Sequence, residues 1–307
     1  MLADRLRLSE KQLALLVASA DNYICWVDKK TGREIQQPKP VLRSVHDRVG
    51  KLLSRIETPD FLHSAIKGRS YISNATTHCP ALPSVKVDIK KFYPSTRAHA
   101  VYHFFLDRMQ CAGDVAGMLA AMLTVEGHLA TGSSASPILS FFAYEDMFGE
   151  IAELAEVRGC AMTCYVDDMV FTGKGATPRL LFEIRNIAKP YRLWTHKAFA
   201  FGPGQPKVIT GLAVTLGGPR LPNDRKAVIH ESLQGYRQDP EGTATSTLRS
   251  LVGRLHEAAQ VDPSWRPRAV WAAAELRARE RASVSPPAGQ TDIDSQAHSP
   301  GHGSMIS

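Results

Sequence analysis

Three aspartates in this sequence have the types and spacing to do chemistry together. Asp167 and Asp168 are adjacent and lie inside an apolar run, with Met162, Tyr165 and Val166 before them and Met169, Val170 and Phe171 after. Desolvating two neighbouring carboxylates is costly unless something neutralises them. A plain turn would also accommodate Asp, although Gly or Asn would be its usual companion. A third acid, Asp88, closes another β-rich run, Val85-Lys86-Val87-Asp88-Ile89. If the two runs are neighbouring strands, three carboxylates converge as the donor set for a pair of divalent cations. Two such ions about 3.5–4 Å apart activate an attacking hydroxyl and stabilise the leaving oxygen of a phosphoryl transfer. Hard oxygen ligands select Mg²⁺, with Mn²⁺ as a substitute, over zinc.

These carboxylates need a scaffold, and the pattern supplies one. Ala161–Val166 and Met169–Thr172 predict two strands joined by Asp167-Asp168 as a two-residue turn. Ser9-Glu10-Lys11-Gln12 has capping-box spacing before an apolar helical stretch. Cys25-Trp26-Val27 and Ile35 flank the turn-like Asp28–Arg33, which predicts a hairpin with a basic tip at Lys29, Lys30 and Arg33. Helices are expected over 41–56, 98–109, 115–123 and 179–191, and a single strand over 207–215. Thr131–Ala135 reads as a loop. Ser136 should cap the next helix, with Pro137 at its first position and an apolar load reaching Phe148. After Pro219 a separate helical unit begins. Leu248, Leu251, Val252 and Leu255 form its apolar series and leave Arg249 and Arg254 outside.

At this point the motifs resemble a known family. Tyr165-Val166-Asp167-Asp168 is similar to the reverse-transcriptase catalytic hairpin, and Val87-Asp88-Ile89-Lys90-Lys91-Phe92-Tyr93-Pro94-Ser95 to the preceding catalytic strand of the bacterial enzymes. Leu129-Ala130-Thr131-Gly132-Ser133-Ser134-Ala135-Ser136-Pro137 resembles the loop and helix start that contact template and nucleotide, with Ala130 in place of the usual proline. The resemblance implies an α+β right-hand polymerase with fingers, an antiparallel palm sheet and a helical thumb. It implies nucleotide contacts at Lys29, Lys30, Arg33, Tyr93 (as steric gate), Thr131, Gly132 and Lys197, the last near the leaving pyrophosphate. Asn74-Ala75-Thr76-Thr77-His78 and Val208-Ile209-Thr210-Gly211 resemble two elements of retron reverse transcriptases. They imply RNA contacts at Asn74, His78, Thr210 and Gly211, and Arg249 and Arg254 are candidates of the same kind. Plain structural roles fit these last elements as well: a capped turn for Asn74 and a satisfied, semi-buried His78.

Composition bounds the rest. In 307 residues the net charge is +7, and its excess lies on the flanks: 13 basic against 8 acidic side chains over 1–83, 13 against 12 over 84–218, and 11 against 8 over 219–281. A near-neutral centre with positive flanks suits a cleft gripping a phosphate backbone, as ordinary basic surface also would. The five cysteines form no C-x-x-C pair, which argues against zinc and disulfide staples and for a reducing, cytoplasmic compartment. No stretch is apolar enough for a membrane span. Residues 1–218 are expected as fingers and palm, 219–281 as thumb, and 282–307 as a disordered tail, with no room for an appended nuclease or integrase. The function implied by the resemblance is retron-type copying of a structured noncoding RNA into single-stranded DNA from deoxynucleoside triphosphates. Priming from an RNA 2′-OH, an RNA–DNA product, an effector protein and anti-phage defence come with that reading. Its rivals are a protein-primed or untemplated bacterial reverse transcriptase and a catalytically silent RNA scaffold.

Overall fold

The computed structural model describes residues 1–284. Helices and strands are interspersed, which makes the chain α+β as expected. It divides into two compact units between Arg225 and Lys226. The first opens with α1 (Leu2–Leu6) and α2 (Glu10–Ala18), and Ser9 caps α2 in a reciprocal box with Gln12. The strands β1 (Tyr23–Val27) and β2 (Glu34–Pro38) form the expected hairpin. Pro40 then occupies the start of α3 (Pro40–Leu53), where its missing N–H costs nothing. Leu42, Val45, Val49 and Leu53 form the buried stripe of α3 at helical spacing. α4 (Tyr71–Thr76) is capped by Ser70.

The sheet that matters is built next, from β3 (Ser84–Ile89), β6 (Cys160–Tyr165), β7 (Asp168–Gly173) and β8 (Thr195–Phe201), in the order β6-β7-β3-β8 and antiparallel throughout. Between β3 and β6 run α5 (Phe92–Ser95), α6 (Ala98–His103), a π-helical turn (Phe104–Arg108), α7 (Gly113–Leu123), β4 (Thr124–Val125), β5 (His128–Leu129), α8 (Ser136–Phe142) and α9 (Glu145–Val157). α10 (Pro178–Ala188) separates β7 from β8. Side chains alternate across a strand, so β3 sorts its residues by face. Val85, Val87 and Ile89 are buried opposite Phe171 and Met169 in the core with Phe148 and Ile151 of α9 and Leu180 and Ile184 of α10. Ser84, Lys86 and Asp88 lie on the other face, opposite Thr172, Val170 and Asp168.

Several expectations are corrected. The turn between β6 and β7 is Val166-Asp167, because Tyr165 pairs with Asp168, so Asp168 is a strand residue. Ser136 is the first residue of α8 rather than its cap, and its hydroxyl donates to Ala130 O. The apolar run to Phe148 is two helices, broken at Ala143-Tyr144. The stretch 207–215 is a hairpin, β9 (Lys207–Ile209) and β10 (Leu212–Thr215), turning at Thr210 (φ 44°) and Gly211 (φ 82°). Positive φ at both turn positions is what a two-residue hairpin loop requires. β11 (Gly218–Arg220) completes that small sheet.

α11 (Asn223–Gln238) begins in the first unit. Beyond it the second unit holds α12 (Thr245–Val261), a 3₁₀ turn at Pro263–Trp265 and α13 (Arg266–Val284), cored by Leu248, Leu251, Leu255, Ala258 and Trp265. Ala282–Val284 continue α13, and the rest of the expected 282–307 tail lies outside the described residues.

Gly173 packs against the opposing backbone at the open end of the β6–β7 hairpin: a Cβ there would stand 2.1 Å from Gly159 O and 2.8 Å from Cys160 Cα. Neither atom can swing aside. Gly173→Ala should therefore lower stability by about 2 kcal/mol or more, read as a shift in the denaturation midpoint; an unchanged midpoint would contradict this packing.

Candidate active site

Register places the carboxylates. Asp88 and Asp168 are direct partners across β3 and β7, and Asp167 follows in the adjoining turn. The turn is fastened from both sides: Val166 N donates to Ser64 Oγ at 2.9 Å, and Ile89 N donates to Asp167 O at 2.9 Å. Val166 has φ 62°, a left-handed conformation that a β-branched residue adopts only under restraint. Those two hydrogen bonds are the restraint.

Each strand acid has a basic side chain beside it. Lys86 Nζ lies 2.7 Å from Asp168 Oδ2, and His196 Nδ1 lies 3.1 Å from Asp88 Oδ1. The His196 contact is not aligned as a hydrogen bond, and Asp88 Oδ1 and Asp168 Oδ1 are both buried without a hydrogen-bond partner. Asp167 has its acidity weakened, its pKa pushed up to about 6 by burial first and then by the charge of Asp88. Burial also raises the pKa of Asp168, against the pull of Lys86. Among the described residues no three His, Cys, Asp or Glu side chains are gathered tightly enough to hold a metal ion. The orphaned carboxylate oxygens and the mutual repulsion nevertheless suit a hard divalent cation.

Around the acids stand several of the other expected residues. Burial, and next the charge of Asp167, raises the pKa of the Tyr93 phenol, which places that ring beside the turn; it stacks on Phe92. The charge of Arg33, at the hairpin tip, pulls the Asp167 pKa slightly the other way. Asp28 shapes that tip by accepting from the N–H groups of Lys30 and Thr31, and leaves Lys29 and Lys30 exposed. Thr131 Oγ1 donates to Glu34 O and accepts from Gln36 N, while Gly132 N donates to Gln36 O. A Cβ at Gly132 would stand 2.9 Å from Gln36 O, so the loop docks on β2 only with glycine there. Lys197 is exposed at a bulge in β8 (φ 48°), and its charge acts on Asp168.

Of the residues expected to face RNA, Asn74 and His78 lie inside the protein, while Arg249 and Arg254 are exposed. Asn74 is fully buried and its Nδ2 donates to Thr210 Oγ1, which in turn donates to Tyr71 O. His78 is buried and bonded to the Thr172 and Thr163 hydroxyls at 2.9 and 2.8 Å, with a pKa lowered to about 4 by burial. Asn74 and His78 therefore clamp α4 to the β9–β10 turn and to the polar face of the sheet, because buried polar groups must find partners inside. Gly211 supplies the positive φ of that turn. Arg249 pairs with Glu280, and Arg254 donates to Ser232, both on the exposed side of the second unit.

Sequence reasoning missed Lys86 and His196. Lys86 was legible, since it stands two residues before Asp88 on the same strand face. It also missed His46, whose Nδ1 is 2.5 Å from Ser133 Oγ, and Asp47, which accepts from Ser134 Oγ; both anchor the 131–135 loop to α3. Those contacts join residues far apart in the chain and leave no local pattern.

No family model matches the chain. Its sequence is similar to reverse transcriptases, and more particularly to those of bacterial retrons. It is 23% identical to the retron Se72 reverse transcriptase of Salmonella heidelberg over 65% of this chain and 56% of that protein. To the retron Mx162 enzyme of Myxococcus xanthus it is 26% identical over 78% and 58%, and to the retron Ec86 enzyme of Escherichia coli 24% over 81% and 74%. The chain thus spans a little over half the length of the first two. Solved structures it resembles are a foamy viral protease–reverse transcriptase with double-stranded DNA (TM-score 0.45, 15% identity, 77% of this chain and 36% of that one) and a Candida albicans telomerase with telomeric RNA (0.46, 11%, 81% and 56%).

The raised pKa of Asp167 has a consequence whose sign can be measured. Between its ordinary value and about 6, the folded state holds a proton that the unfolded state has lost, so stability falls as pH rises through that window. In metal-free protein Asp167→Asn should remove this loss and raise the melting temperature at pH 7. A variant no more stable than the parent there would contradict the described repulsion.

Proposed function

We propose that this chain is an RNA-directed DNA polymerase of retron type, which copies a structured noncoding RNA into single-stranded DNA. The observation that carries the reading is the register pair Asp88–Asp168 with Asp167 in the next turn, beside Tyr93 and within reach of Arg33. In it, residues 1–218 serve as fingers and palm, and 219–281 as thumb. Asp88, Asp167 and Asp168 would hold two Mg²⁺ or Mn²⁺ ions, which supply Lewis-acid activation of the primer hydroxyl and stabilisation of the leaving oxygen.

The chain's own residues do the positioning. Arg33, Lys29 and Lys30 offset the triphosphate charge from the hairpin tip, and Lys197 stands on the edge strand for the departing pyrophosphate. Thr131 and Gly132 bind the template-side loop to β2, so the hairpin and the loop move as a unit. Tyr93, stacked on Phe92, would act as the steric gate that excludes a ribose 2′-OH. Priming from an RNA 2′-OH, an effector partner and a part in anti-phage defence belong to the same reading, as the motif resemblance to retron reverse transcriptases implies.

Two experiments test this. Asp167→Asn and Asp88→Asn remove a charge at nearly constant shape, and should lower Mg²⁺-dependent primer extension on an RNA template by a factor on the order of a thousand or more, several kcal/mol of barrier. Near-normal extension would overturn the assignment. Tyr93→Ala should admit ribonucleotides while deoxynucleotide use largely survives; an unchanged incorporation ratio would return Tyr93 to core packing.

A further inference from the structure

A second cluster of titratable side chains lies on α6, apart from the three aspartates. His99 and His103 are one helical turn apart, so their rings share a face. Their Nε2 atoms are 2.9 Å apart and their ring centroids 4.2 Å. His103 Nδ1 lies 2.8 Å from Asp107 Oδ2. Asp107 belongs to the π-helical turn that follows α6 directly, where Met109 N donates to Phe104 O. Single π turns interrupting helical runs recur at functional sites. His99 and Asp107 are exposed and His103 is half-exposed, so the cluster opens to solvent.

We propose that His99 and His103 form a two-nitrogen chelate for a borderline divalent transition-metal ion, Zn²⁺, Ni²⁺ or Cu²⁺. The spacing carries the argument. Two imidazole nitrogens each about 2.0–2.1 Å from one ion stand roughly 2.9 Å apart at a right angle and about 3.3 Å apart at a tetrahedral one. The rings are at the first separation and need to splay by only a few tenths of an ångström for the second. Asp107 supplies what a histidine ligand requires at its other nitrogen: a carboxylate that accepts the Nδ1–H hydrogen bond, fixes the tautomer and leaves the Nε2 lone pair free for the ion. Without an ion, one of the two Nε2 atoms must donate to the other, which ties up the pair. With one, both lone pairs converge and the remaining positions stay open to water or to a ligand from another molecule. Imidazole suits these ions and not Mg²⁺, so the site takes a different cation from the carboxylates.

The test uses the whole chain in excess Mg²⁺, which occupies hard oxygen sites, with NiCl₂ or ZnCl₂ as the probe in calorimetry. Wild type should bind one equivalent that His99→Gln or His103→Gln weakens at least roughly tenfold, and Asp107→Asn should weaken it by a similar or smaller factor. With Cu²⁺, electron paramagnetic resonance should show two imidazole nitrogens in the wild type and one in either single variant. Primer extension should be the same in all of them, because none of these residues touches the machinery assigned above. Affinity unchanged in both His variants, or a copper spectrum without paired nitrogens, would overturn the site, whatever the outcome for the polymerase reading.

Discussion

Like charges held opposite one another on a half-buried strand pair are the constraint on which this structure turns. Asp88 and Asp168 face each other because Val87 and Met169, one residue away, must face the core. A one-residue slip of either strand would put apolar side chains on the polar face and carboxylates into the core, so the register is strongly enforced. Burial then brings the charges into a setting where water screens them weakly. Lys86 relieves part of the repulsion, while two carboxylate oxygens stay without donors and Asp167 stays hard to ionise. A protein retains such an arrangement at a cost in stability, and an external cation is the natural remedy.

The surrounding structure holds that arrangement still. Val166 occupies a backbone conformation costing on the order of 1–3 kcal/mol, restrained by Ser64 on one side and Ile89 on the other. Further along the same face, His78 ties β6 to β7 through Thr163 and Thr172, and Ser84 and Lys207 extend the chain of polar contacts to β9. Lys207 is itself buried and donates to carbonyl groups of Cys79 and Leu82. These contacts form a hydrogen-bonded layer on the polar face from the small sheet to β6, and a neutral His78 adds no charge to it.

What could be read in the sequence followed from local rules. Asp88, Asp167 and Asp168 stood out because acids inside apolar runs violate the ordinary pattern, and the hairpin at 23–38 was legible from its turn residues. The exact turn was misplaced by one residue because Val166 is an unlikely left-handed residue, and only tertiary hydrogen bonds make it so. Asn74 and His78 were legible as special, but nothing local chose between RNA contact and a capped, semi-buried role, since the same donors serve RNA and protein partners equally well. His46, Asp47 and Ser64 were invisible for the opposite reason: ordinary residues whose roles arise only from contacts across long stretches of chain.

The central claim is that the three carboxylates await a divalent cation, and metal-linked stability tests it without requiring a substrate. Binding to the folded state alone raises its stability with the logarithm of ligand concentration. The melting temperature of wild type should climb with Mg²⁺ at constant ionic strength, and Asp88→Asn and Asp167→Asn should each flatten most of that climb. A wild type indifferent to Mg²⁺, or variants that climb as steeply, would contradict the account.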